Sequence, residues 1–100
     1  MSINKFQLRD LIGRTLAPMY LNTSPAIDLL MGTCAQESHM GTYLRQLGGG
    51  PALGIFQMEP FTFLDLRARF GARFDVADRE PKELEWDLRL SIIMARIKYF

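Results

Sequence analysis

A single, mainly α-helical domain is what this sequence predicts, and three observations carry the expectation. Apolar residues recur at helical spacing in four stretches, proline and glycine fall between those stretches, and no run of β-branched residues alternates over more than a few positions. One hundred residues, 48% of them hydrophobic, suffice to bury one core and hardly two, so the whole span 1–100 reads as one domain without internal repeats or linkers.

The elements follow in order. Leu8, Leu11, Ile12, Thr15 and Leu16 share one face of a first helix, which Pro18 stops. The second helix opens with Ser24 as N-cap and Pro25 at the first helical position, then sets Ile27, Leu30, Met31, Cys34 and Ala35 on one stripe and carries Glu37 at its C-terminal end. The third runs from about Thr62 to Phe70, with Phe63, Leu64 and Leu66 available for burial and Gly71 suited to a left-handed C-cap. A fourth starts near Pro81 or Lys82, where Glu83 and Glu85 favour a helix N-terminus, and continues to the chain end. Two stripes run along it, Trp86–Leu90–Ile93–Ile97–Phe100 and Leu88–Ile92–Ala95–Tyr99, so it is expected at the centre of the core. Periodicity persists to Phe100 with no capping residue, which makes these residues the expected N-terminal part of a longer chain.

Composition excludes several function classes. Lys and Arg total 12 against 11 Asp and Glu, interspersed, a net charge of +1 that offers no footprint for nucleic acid. A lone Cys34 forms no internal disulfide, and with no C-x-x-C pair and His39 the only histidine, no zinc site can be assembled, so neither metal nor organic cofactor is expected. Charges at Lys5, Arg9 and Asp10 interrupt the N-terminal residues, so neither a signal peptide nor a membrane span is readable there.

One constellation carries chemistry. Glu37 and Ser38 close an apolar helical stretch; Gly41, then Gly48, Gly49, Gly50 and Gly54, follow and permit close approach of backbone to a ligand. The ordinary reading of a glutamate there is a solvated helix residue. Set beside apolar surface in a cleft, the same carboxyl is disfavoured in its ionised form and can act as a general acid, the requirement for cleaving an acetal.

Glu37-Ser38-His39-Met40 together with Gly54-Ile55-Phe56-Gln57-Met58-Glu59-Pro60 resembles the lytic transglycosylase branch of the lysozyme-like superfamily, which joins a Glu-Ser step at a helix end to a Gly-Leu-Met-Gln-type segment with a nearby proline. The resemblance spans roughly Ile27 to Phe100, with its specificity in those two motifs. Glu37 and Gln57 stand 20 positions apart, slightly more than the family's usual spacing, and the excess lies in the loop of Gly48 to Pro51. The wording from Gly50 to Pro60 is also similar to phage-encoded members.

The resemblance implies a goose-type lysozyme or transglycosylase fold and cleavage of the β-1,4 bond between N-acetylmuramic acid and N-acetylglucosamine in peptidoglycan. Glu37 would protonate the glycosidic oxygen and then accept the proton of the muramic acid 6-hydroxyl as it closes to a 1,6-anhydro ring. Ser38 would help orient Glu37, Gln57 would offer amide hydrogen bonds, and Gly54 and Ile55 would present backbone. Read from residue type rather than from the resemblance, Tyr43 and Phe56 are candidates to stack on sugar faces, against a packing role that is the commoner one for Phe56. Peptidoglycan strands at the bacterial periplasm or cell wall are the implied partner, with delivery by a phage virion, a lysis system or a larger parent chain in place of a signal peptide. The family's later Ala-Tyr-Asn-type motif is missing from the chain, and Glu59 is a second carboxylate that would turn the outcome toward a hydrolytic lysozyme. A non-catalytic virion module of the same fold is the competing class; a helix-turn-helix DNA binder is disfavoured by charge. Among other candidates, Phe61 is expected to pack, and Arg67, Arg69 and Arg73 to be solvated on the outer face of the third helix.

Overall fold

A computed structural model describes residues 3–38, 40–41 and 50–100. Four α-helices carry the described residues: α1 (Lys5–Leu16), α2 (Ser24–Ser38), α3 (Pro60–Phe70) and α4 (Leu88–Lys98), with 3-10 turns at Ala17–Met19 and Pro81–Glu85. Helix α4 packs against α1, α2, α3 and the second 3-10 turn, and Leu90, Ile92, Met94, Ala95 and Ile97 on it are buried. Its expected central position is therefore observed. The face it meets on α1 is Leu8, Ile12, Thr15 and Leu16, all buried, as the spacing of those residues predicts.

Helix starts depart from expectation by small, explicable amounts. Asn4 begins α1 by accepting from the Phe6 and Gln7 N–H groups at 3.0 and 3.1 Å. Thr23, not Ser24, caps α2, its hydroxyl accepting from Ala26 N–H at 3.3 Å, so Pro25 stands one position deeper than predicted. Helix α3 starts at Pro60 rather than Thr62, because proline has no N–H to lose in the first turn and Glu59 supplies the preceding extended residue. Leu64 on α3 and Ala35 on α2 face water, while Phe63, Leu66, Leu30 and Cys34 are buried. Phe61 is 82% exposed, against the packing role expected for it.

Gly71 is a correction. Its φ of −57° is right-handed, so a left-handed cap is not what requires glycine; a Cβ there would lie 2.4 Å from the Arg67 carbonyl oxygen and 2.9 Å from Ala77 Cα, and the requirement is close backbone approach. The second correction is the fourth helix, which is two elements. Glu83 receives the Glu80 N–H at 2.7 Å and starts the 3-10 turn, and Asp87 receives the Leu90 N–H at 2.9 Å and starts α4. Two capping acids four residues apart mimic the N-terminal charge of one long helix. Trp86, between them, is 63% exposed rather than part of a core stripe, and Tyr99 and Phe100 beyond Lys98 are also exposed.

Arginines tie these elements together. Arg79 donates to Glu83 at 2.9 Å and to Asp87, bridging the turn and α4. Arg67, expected on a solvated face, is half-buried and donates to the Arg79 carbonyl at 2.7 Å and to Glu80 at 3.1 Å. Arg73 sits over the rings of Phe74 and Phe100, with 5.1 and 4.7 Å to the centroids. Among the described residues no helix is long and apolar enough to cross a membrane.

Candidate functional site

The glycine-bearing segment after the loop folds back on itself. Leu53 and Met58 exchange backbone hydrogen bonds at 2.9 and 3.0 Å, and Gly54-Ile55-Phe56-Gln57 forms the turn between them, closed by Gln57 N–H to the Gly54 carbonyl at 3.0 Å. Two residues take left-handed conformations there, Gly54 with φ 81° and Gln57 with φ 48°. Gly54 is irreplaceable on a second count: a Cβ would lie 2.5 Å from the Leu84 carbonyl oxygen and 3.1 Å from Ser91 Oγ, so this turn presses directly on the second 3-10 turn and α4. Ile55 and Phe56 are buried in the core, and the Gln57 side-chain amide donates to the Gly54 carbonyl at 2.8 Å.

Ser38 joins α2 to this turn. Fully buried, its hydroxyl donates to the Ile55 carbonyl, lies 3.1 Å from the Cys34 carbonyl, and accepts the Gly41 N–H at 2.9 Å. Cys34 Sγ lies 3.7 Å away; burial pushes that thiol up from its ordinary range, with the Ser38 contact pulling the other way, so it stays a neutral packing group. The chain leaves α2 through Met40 and Gly41, both left-handed, with φ 58° and 83°. Ile3 closes this junction from the N-terminal side: its N–H donates to the Met40 carbonyl at 2.7 Å, and its side chain fills the space a Cβ on Gly41 would need. The last turn of α2 is thereby held from within, from the hairpin and from the N-terminal segment.

Glu37 stands on the opposite side of that same turn. It is exposed, and among the described residues its carboxylate has no hydrogen-bond or ion-pair partner. The partial desolvation expected of it is not supplied by the described residues. It lines an open groove of about 380 Å³ with Asp28, Leu29, Gly32, Thr33 and Gln36 of α2 and, from beyond α4, Tyr99. Thr33 gives its proton to the Leu29 carbonyl at 2.9 Å, so the Tyr99 hydroxyl, 3.3 Å from Thr33 Oγ1, is the donor in that contact.

The structure thus brings Ser38 against the Gly54–Gln57 turn and places Glu37 on the neighbouring helix face. The side chains of Ile55 and Phe56 and the carbonyls of Gly54 and Ile55 are engaged by the protein itself. Tyr43 and His39, with Arg45, lie outside the described residues. Tyr99 was not singled out as a groove residue from sequence, because its place in an apolar stripe reads as core; its position just past the helix, where the stripe loses its backing, is the signal that distinguishes it. Glu59 is exposed at the start of α3. Among the described residues no three His, Cys, Asp or Glu side chains gather as a metal ion requires.

No family model, curated protein or solved structure matches this chain at a significant level. Any functional reading therefore rests on the motifs and on this geometry.

Proposed function

We propose that this chain is a lysozyme-like domain that cleaves peptidoglycan by transglycosylation, with Glu37 as the single acid and base. The observation that carries the reading is the pairing of two consecutive residues, an exposed carboxylate that lines a groove and has no partner among the described residues, and a buried serine that fixes the helix end to the turn bearing Gln57. A catalytic acid needs a firm backbone support, and the bonds of Ser38 to the Ile55 carbonyl and the Gly41 N–H supply one at the residue that follows Glu37.

In the proposed reaction a murein strand lies across the groove and covers the exposed carboxyl, supplying the apolar surroundings that favour its neutral, donating form. Glu37 gives its proton to the glycosidic oxygen as the bond to the muramic acid anomeric carbon breaks. The 6-hydroxyl oxygen then bonds to that carbon and its proton returns to Glu37, leaving a 1,6-anhydro end and a regenerated acid. Neither water nor a second carboxylate is consumed. The strand is met at the cell wall, and delivery there falls to a virion, a lysis system or a parent chain.

Mass spectrometry of sacculi digested by the protein tests this. Anhydro-muropeptides are expected, with Glu37→Gln lowering their yield by at least a hundredfold at unchanged fold. Reducing-end muramic acid would instead mark hydrolysis by the same acid. Absence of any product, or full activity in Glu37→Gln, would remove the enzymatic reading and leave a structural module.

A further inference from the structure

A second depression adjoins the Glu37 groove, and it differs in character. About 250 Å³ in volume, it is lined by Thr23, Pro25, Ala26, Leu29 and Leu30 with Arg96 and Tyr99, and it shares Leu29 and Tyr99 with the groove. Together the two follow α2 from Pro25 to Glu37, roughly 18 Å at the helical rise. Tyr99, its hydroxyl on Thr33, stands between them as the common wall.

Arg96 is the unusual member. Its Nε donates to the Leu21 carbonyl at 3.0 Å, which anchors a half-buried guanidinium beside apolar side chains, and no carboxylate pairs with it among the described residues. Of the two acids that line the adjoining groove, Asp28 is held by Arg9, and Glu37 stands at the C-terminal end of α2. An arginine tethered through one N–H that lines a largely apolar depression is suited to receive an anion carried on an apolar body. Glu37 and Arg96 thus give the double groove opposite charges at its two ends.

Resting on the reading of Glu37 given above, we infer that Arg96 is a specificity residue that binds the carboxylate-bearing peptide stem hanging from the muramic acid lactyl group. The sugar backbone occupies the Glu37 side, and the alanine-rich, anionic stem turns over Tyr99 into the Arg96 depression. The proposed enzyme therefore prefers peptide-bearing strands to naked glycan.

Two substrates separate this from a purely structural role. Intact glycan strands and strands stripped of peptide by an amidase are digested by the wild type, Arg96→Gln and Arg96→Lys, with thermal unfolding confirming that each variant folds. The ratio of kcat/KM for intact over stripped strands should fall about tenfold in Arg96→Gln and be partly kept in Arg96→Lys, which retains the charge. An equal loss on both substrates would make Arg96 only a tether for Leu21 and overturn the proposal. Binding is read separately in the Glu37→Gln background with soluble stem-bearing and stem-free muropeptide fragments, so the outcome stands even if the chain turns nothing over. Preference for the stem-bearing fragment that vanishes in Glu37→Gln/Arg96→Gln supports the stem site, and equal affinity for both fragments sinks it.

Discussion

The two sides of the last turn of α2 obey opposite rules. On one side Ser38 is wholly buried and bonded to two other segments; on the other Glu37, one residue earlier, is exposed and bonded to nothing described. A helical step of ~100° per residue separates them, which is why adjacent residues can face core and groove. The contrast shows a division within one helical turn: Ser38 satisfies backbone groups of two other segments and fixes the helix end, while Glu37 is left to solvent. If that division of labour is right, changes on the Ser38 side will cost stability and changes on the Glu37 side will not.

The largest expected effect is at Gly54. Alanine there combines a left-handed backbone with a Cβ driven into the Leu84 carbonyl, an immovable neighbour, and about 3–5 kcal/mol of stability should be lost. Urea unfolding will read it, and a loss below about 1 kcal/mol would mean that the turn can lift off α4 without penalty. Next comes Ser38→Ala, which leaves the Gly41 N–H and the Ile55 carbonyl without their partner in a buried place and should cost about 1–3 kcal/mol. A smaller cost would transfer the clamp to Ile3 and the Met40 carbonyl.

The clamp at the other end of the hairpin's support is electrostatic, and pH sharpens the comparison. Hydrogen bonding from Arg79 holds the Glu83 carboxyl below its usual range; burial would raise Asp87, but the Leu90 N–H and Arg79 outweigh it and hold that carboxyl low as well. Carboxyls depressed in the folded state stabilise it above their unfolded values and lose that contribution as pH falls through the folded ones. The wild type should therefore weaken as pH falls below the ordinary carboxylate range, with Arg79→Gln less stable at neutral pH and converging on it once both carboxyls are protonated in the folded state. Parallel melting curves across that range would show that the bridge contributes nothing. The Ser38 junction, having no charge of its own, is not expected to share this dependence.

Much of this fold is legible in the sequence alone, and what is not legible has physical causes. The buried stripes of α1 and α4 were readable because one repeated spacing decides which side faces inward. Where that face ends is not readable: Trp86 precedes α4 and Tyr99 and Phe100 follow it, so they continue the pattern outside the helix and are exposed. Glycine misleads in a related way, since Gly71 is required by the close approach of the Arg67 carbonyl and of the Ala77 backbone rather than by a left-handed cap. At the site, the Glu37-Ser38 pair was visible as a motif, and its second member's true partner, a carbonyl 17 positions away, was not. Periodicity encodes direction relative to a helix axis; it carries no information about which backbone group arrives from elsewhere.

The smallest expected effect on stability is also the sharpest use of the comparison. Glu37→Gln removes a charge that touches no described partner, from a side chain already in water, so its unfolding free energy should stay within about 0.5 kcal/mol of the wild type. The proposed activity should nonetheless be lost, because an amide can neither donate the proton to the leaving oxygen nor take one back. Stability and turnover then separate across two adjacent residues, with Ser38→Ala lowering the first and Glu37→Gln only the second. A Glu37→Gln protein destabilised by more than about 1 kcal/mol would reveal a structural partner for the carboxylate and would place both residues on the same, scaffolding side of the helix end.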